Sequence, residues 1–109
     1  MADGPLIELL WWDGCPSHPQ ALDDLRAALS ALGGDPDAIV SRELRTDDEA
    51  RDEAFVGSPT IRVGGRDVDP HGEERSNYAL SCRVFRTGAG ISGQPDERWV
   101  REALTVAAR

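Results

Sequence analysis

The sequence feature that most constrains the fold is the run Leu6–Trp12, which is apolar on both of its alternating faces. A strand of this kind is covered on both sides, so we expect it inside a sheet. From position 20 the apolar residues follow the spacing of one helical stripe, and the pair Gly33-Gly34 then stops the helix. Ile39–Leu44 predicts a second strand. Strand, helix and strand together indicate a βαβ unit, whose crossover is expected to be right-handed.

The middle of the chain carries a helix signal followed by a hairpin signal. Thr46 and Glu49 have the spacing of a capping box, which predicts a helix that starts there and ends at Gly57. Two glycines at 64 and 65 separate short alternating runs, which indicates a tight antiparallel hairpin. A last helix is expected from Pro95, with its apolar residues along one stripe.

Between the hairpin and the last helix lies an excursion of roughly 25 residues, Pro70–Gln94. Within it, Leu80–Arg86 has strand character and carries Cys82. A stretch this long between elements of a small domain is usually functional or disordered. We therefore expect a single α/β domain over residues 1–109, of order β-α-β-α-β-β-α, with residues 70–94 inserted before the last helix.

Charge and composition exclude several classes of protein. The net charge is -8, whereas nucleic acids and anionic membranes attract clustered cations, so neither is expected as a partner. No apolar stretch approaches the ~20 residues that span a bilayer. Asp3 precedes the first apolar run without a Lys or Arg, which is the wrong charge for a secretory signal. We therefore expect a cytoplasmic location.

Cys15 follows the first strand and precedes the first helix, in the motif Cys-Pro-Ser-His. The amino end of a helix favours an anion, so a cysteine there is a candidate reactive thiolate. His18 could add positive charge or carry a proton for it. The helix starts either at Pro19 or after Ser17 acting as the capping residue, and both starts place Cys15 two or three residues before the cap.

A second motif, Ser58-Pro59-Thr60, stands directly before a strand. The order strand, Cys-x-x-His, helix, then Gly-Ser-Pro-Thr, strand, Gly-Gly, strand resembles the thioredoxin-like fold over roughly residues 5–69 and 95–109. In that family a cis-proline loop faces the active-site cysteine, and its backbone pairs with a bound substrate chain. The resemblance therefore implies that Pro59 is cis and near Cys15.

The chain also departs from that family, because His18 stands where thioredoxins have their second cysteine. The other cysteine, Cys82, lies in the inserted segment. The layout is most similar to short bacterial thioredoxin-like chains with Asp-Gly-Cys-Pro near the start and Leu-Ser-Cys-Arg late, some of which are labelled alkylmercury-lyase-like. For Cys82 two interpretations stay open, a plain buried side chain in a core strand or a functional partner of Cys15.

The leading functional hypothesis is a thiol-disulfide oxidoreductase that needs no cofactor. Cys15 would attack a disulfide as the nucleophile and Cys82 would resolve the mixed disulfide, with His18 and Pro59 completing the site. Its partner would be a disulfide-bearing protein or a small thiol. One alternative is binding or lyase-like handling of a soft metal or organomercurial by Cys15 and Cys82, with mercury, copper or zinc as the metal. Another is a non-catalytic thioredoxin-like binding module.

Overall fold

Strand β1 (Ile7–Trp11) lies inside a four-stranded sheet, as its sequence predicts. The computed structural model describes residues 5–107, apart from the side chain of Glu73. β1 pairs in parallel with β2 (Val40–Glu43) and antiparallel with β3 (Thr60–Val63). β4 (Arg66–Asp67) completes the predicted hairpin with β3 and extends the sheet to the order β2-β1-β3-β4. Residue Asp3 and the two ends of the expected 1–109 domain lie outside the described residues.

In the described part of the chain, three α-helices pack with this mixed sheet into a compact α/β domain. Helices α1 (His18–Ala31) and α3 (Glu97–Ala107) share one hydrophobic cluster with the sheet, which includes Leu9, Leu25, Ile61, Val100 and Leu104. The short helix α2 (Asp47–Asp52) belongs to a second cluster, formed by Leu10, Leu44, Ala50 and Phe55. Because successive residues of β1 point to opposite faces, Leu9 and Leu10 serve different clusters. Within residues 5–107, no helix combines the length and apolar character needed to cross a bilayer.

The capping box of α2 is confirmed, but the helix is shorter than predicted. The Thr46 hydroxyl accepts a hydrogen bond from the Glu49 amide at 3.1 Å, and the Glu49 carboxylate accepts one from the Thr46 amide at 3.1 Å. The helix ends at Asp52 instead of Gly57 because Ala54 adopts a positive φ of 53°. This turn redirects the chain so that Phe55 becomes fully buried in the second cluster.

The inserted segment, residues 70–94, contains its own regular structure. Strands β5 (Phe85–Thr87) and β6 (Gly90–Ser92) form a separate two-stranded hairpin. The prediction of one strand over Leu80–Arg86 is wrong, since only its last two residues belong to β5. Cys82 instead forms an isolated parallel bridge with Ser58, which lies just before β3. The segment is therefore attached to the main domain at that point.

Candidate functional site

Ser58, the residue immediately before Pro59, forms hydrogen bonds that join its own turn to the end of β1 and to the inserted segment. Its amide donates to the carbonyl of Ser81 at 2.8 Å, and its carbonyl accepts from the amide of Arg83 at 2.9 Å. Its hydroxyl accepts from the amide of Trp12 at 3.1 Å, at the end of β1. The Ser58–Pro59 peptide bond is cis, which confirms the expectation for Pro59. This buried turn thus holds the end of β1 and the inserted segment together.

Cys15 lies in the turn after β1 and is buried, with 2% of its surface exposed. Its amide donates to the carbonyl of Trp12 at 3.1 Å, and its thiol donates to the carbonyl of Ser58 at 3.5 Å. The expected proximity of Cys15 to the turn of Pro59 is therefore confirmed. A thiol that reacts directly with an external disulfide must be accessible to it, whereas the Cys15 thiol is buried.

Cys82 is the exposed member of the pair. The bridge to Ser58 places Cys82 beside the residue whose carbonyl also accepts from the Cys15 thiol. Interaction with the Cys15 side chain, followed by desolvation and the negative charge of an ionised Cys15, raises the pKa of Cys82. The interpretation of Cys82 as a buried side chain of a core strand is wrong, because Arg83 and Phe85 are the buried residues here.

His18 is the first residue of α1, and it contacts the backbone of Cys15. Its Nδ1 lies 3.0 Å from the Cys15 carbonyl oxygen, and its ring stacks on Trp11 with centroids 4.1 Å apart. Because a carbonyl oxygen only accepts, Nδ1 carries the proton in this bond. The helix begins one residue before Pro19, so of the two predicted starts the one with Ser17 as the N-cap residue is confirmed, although the Ser17 side chain makes no capping hydrogen bond. His18 therefore braces the turn that carries Cys15.

The sequence did not indicate a buried ionic cluster next to Cys82. The guanidinium of Arg83 lies 2.7 Å from a carboxylate oxygen of Asp67 and 3.1 Å from one of Asp69. It also donates to the hydroxyl of Thr60 at 3.1 Å. Charged residues are usually exposed. Charged residues that alternate with apolar neighbours in the sequence therefore do not indicate a buried ionic cluster. The only sequence hint was the position of Arg83 directly after the cysteine.

Two adjacent thiols of unequal exposure can form a disulfide, exchange it with other thiols, or hold a soft metal ion in two-fold coordination. Across the part of the chain that the structure describes, no group of three or more His, Cys, Asp or Glu side chains is arranged to hold a metal ion. Comparison with known proteins returned no matching family model, no matching curated protein and no matching solved structure.

Proposed function

We propose that this protein catalyses thiol–disulfide exchange through a reversible disulfide between Cys15 and Cys82. The observation that carries the proposal is that Ser58 contacts both cysteines: its carbonyl accepts from the buried Cys15 thiol, and its backbone pairs with that of the exposed Cys82. Both cysteines are free in the structure. The partner is a disulfide-bearing protein or a small thiol.

The unequal exposure assigns the two sulfurs different roles. The sequence favoured Cys15 as the sulfur that meets the substrate, but its burial argues for Cys82 in that role. In the oxidised protein an external thiolate attacks the Cys82 sulfur, the Cys15–Cys82 bond breaks, and its electron pair leaves on Cys15. A second external thiolate then attacks the outer sulfur of the mixed disulfide and releases Cys82. Two external thiols are oxidised, and their protons pass to the two cysteines.

The same steps in reverse reduce a substrate disulfide. Cys82 thiolate attacks the substrate and releases one of its thiols, and Cys15 then attacks Cys82 and releases the other. Only the thiolate is nucleophilic, so the raised pKa of Cys82 makes this direction faster as the pH rises. The reduction potential of the pair relative to its partners decides which direction runs.

We also propose that the chain has the thioredoxin-like arrangement that its motifs resemble. Three features support this: a cysteine between β1 and α1, a cis-proline turn beside it, and the element order β-α-β-α-β-β before the inserted segment. In the family a substrate chain pairs with the backbone of the cis-proline loop. Here residues 81–83 pair with Ser58, so the inserted segment would present Cys82 to Cys15 in the manner of a substrate.

The proposal is tested by peptide mapping after equilibration with reduced and oxidised glutathione. Trypsin releases Cys15 within residues 1–26 and Cys82 within residues 76–83, so the disulfide gives one linked species of known mass. We expect this species in the wild type and its loss in Cys15→Ser and Cys82→Ser. Cys15→Ser should instead keep a stable glutathione adduct on Cys82. Glutathione adducts on both cysteines without the linked species would contradict the proposal.

A second candidate function is capture of a soft metal ion, which the adjacency of two thiols also favours. Two thiolates suit Hg(II) or Cu(I), whereas structural zinc normally needs four ligands, and no larger ligand cluster is present among residues 5–107. Titration with Hg(II), followed by ultraviolet absorption of the thiolate–metal bond, distinguishes the two functions. Metal capture predicts one tightly bound ion per chain that is lost in both cysteine variants, without turnover of a small disulfide such as hydroxyethyl disulfide.

A further inference from the structure

We propose that Arg83 is a positioning residue whose buried side chain holds residues 81–83 against Ser58 and thereby keeps the Cys82 sulfur beside Cys15. This inference rests on the proposed disulfide exchange, since it concerns how the two sulfurs are held. Arg83 does not contact the reacting atoms in this proposal; it acts through the placement of its neighbour in the chain.

The guanidinium of Arg83 is fully buried and is held on several sides. One terminal nitrogen lies 2.7 Å from Asp67 Oδ2 and 3.1 Å from Thr60 Oγ1, and the other lies 3.1 Å from Asp69 Oδ2. Its central carbon lies 4.4 Å from the centre of the Phe85 ring, a cation–π contact. A planar, forked cation can satisfy all of these partners together, which an ammonium cannot.

The partners of Arg83 are themselves fixed by backbone hydrogen bonds. The second oxygen of Asp67 accepts from the Asp69 amide at 2.9 Å, and the second oxygen of Asp69 accepts from the His71 amide at 2.9 Å. Gly72 closes the cluster, because a Cβ atom there would lie 2.3 Å from Asp67 Oδ2. The position of Arg83 is therefore set by Asp67 in β4 and by Asp69, which both precede the inserted segment.

The backbone and the side chain of Arg83 both form hydrogen bonds to the turn of residues 57–60. Its amide donates to the Ser58 carbonyl at 2.9 Å, while Thr60, which accepts from its guanidinium, donates to the Gly57 carbonyl at 2.7 Å. Neighbouring side chains of an extended segment point to opposite sides. With Arg83 directed into the cluster, Cys82 is directed away from it, and its backbone pairs with Ser58, whose carbonyl accepts from the Cys15 thiol.

Stability alone does not account for an ion cluster at this position. Removing charges from water is costly, and apolar side chains of similar volume often give equal or greater stability. An apolar residue would not, however, fix the direction of the segment through several directional bonds. A disulfide forms only within a narrow range of Cα separations and dihedral angles, so fixed direction is what the cysteine pair requires.

The experiment measures the equilibrium constant for forming the Cys15–Cys82 disulfide in glutathione buffers. Arg83→Lys keeps the charge but loses the forked geometry, and we expect the constant to fall about tenfold or more, because small misplacements of reacting groups have large effects. Arg86→Lys, at an exposed arginine of the same segment, is the matched control and should leave the constant unchanged. Leu104→Ala, in the core between α1 and α3, controls for a general loss of stability.

Two further measurements keep the test decisive. If Arg83→Lys does not fold, Asp69→Asn replaces it, because the amide keeps the size of the side chain and removes one ion pair. Amide hydrogen exchange at Arg83 reports the bond to Ser58 without any redox step, and it should accelerate in either variant but not in Arg86→Lys. Wild-type exchange and a wild-type constant in a folded variant would overturn the inference, as would an equal fall in Leu104→Ala. Failure of the wild type to form the disulfide would instead overturn the proposed function.

Discussion

Cys82 lies opposite Ser58 in a parallel β-bridge, and the Ser58 carbonyl accepts hydrogen bonds from both the Arg83 amide and the Cys15 thiol. A carbonyl oxygen has two lone pairs, so both bonds can form together. One backbone group therefore contacts the two chain segments that carry the cysteines. Changes that move this turn should alter the stability of the domain and the pairing of the sulfurs together.

The Ser58 hydroxyl gives the first prediction. It is buried and accepts from the Trp12 amide at 3.1 Å, so Ser58→Ala leaves that amide without its acceptor. We expect a loss of about 1–3 kcal/mol in the free energy of unfolding, measured by urea denaturation. Ser81→Ala, which removes a half-buried hydroxyl bonded to a carbonyl at 3.4 Å, is the control. Equal effects of the two substitutions would contradict the prediction.

Gly57 gives the second prediction, because it has both a positive φ and a close neighbour. Its φ is 132°, and a Cβ atom there would lie 2.9 Å from the Cβ of Arg83. Gly65 also has a positive φ, of 83°, but no atom within 4 Å of the position of a Cβ. We expect Gly65→Ala to cost about 1 kcal/mol through backbone strain alone.

Gly57→Ala should cost clearly more than Gly65→Ala, since strain and steric overlap act together. It should also lower the yield of the Cys15–Cys82 disulfide, because Arg83 and its neighbour Cys82 must shift. Urea denaturation and the tryptic map measure the two effects. Similar free energies of unfolding for the two alanine variants would show that the contact with Arg83 adds nothing to the cost of Gly57→Ala.

The parts of the fold that depend on local patterns could be predicted from the sequence. The two-sided apolar run gave β1 its interior position, the Gly64-Gly65 pair gave the hairpin, and Thr46 with Glu49 gave the start of α2. Each of these signals lies within a few residues of the structure it specifies. The early end of α2 was missed because Ala54 adopts a backbone conformation that no neighbouring glycine announced.

The parts of the site that depend on distant contacts could not be predicted. Arg83 is buried against two carboxylates and a hydroxyl that other segments supply, and Cys15 is buried where its thiol meets the carbonyl of Ser58, 43 positions away. Cys82 is exposed because its neighbour Arg83 is the side chain that points into the protein. A local alternation of apolar residues around Cys82 pointed to the opposite orientation.

The pKa of Cys82 gives the third prediction. Interaction with the Cys15 side chain and the charge of an ionised Cys15 raise it, so wild-type Cys82 has less thiolate at neutral pH than an ordinary exposed cysteine. Cys15→Ser removes the charge and replaces the sulfur partner. We expect alkylation of Cys82 by iodoacetamide in this variant to reach half its maximal rate at a lower pH than in the wild type. An unchanged pH profile would contradict the coupling of the two thiols.

Asp96, immediately before α3, gives a prediction about acid stability. Its carboxylate accepts hydrogen bonds from the Arg98 guanidinium and from the amides of Gly88 and Arg98, which lowers its pKa to about 2. Because the pKa of an unfolded aspartate is about 3.9, the folded state gains stability above that pH and loses it as the pH falls towards 2. Asp96→Asn keeps a good helix cap but removes the charge. The free energy of unfolding, measured by urea denaturation between pH 5 and pH 2 (roughly the range that spans both pKa values), should therefore decline less steeply for the variant than for the wild type. Parallel curves would show that this carboxylate does not contribute to acid unfolding.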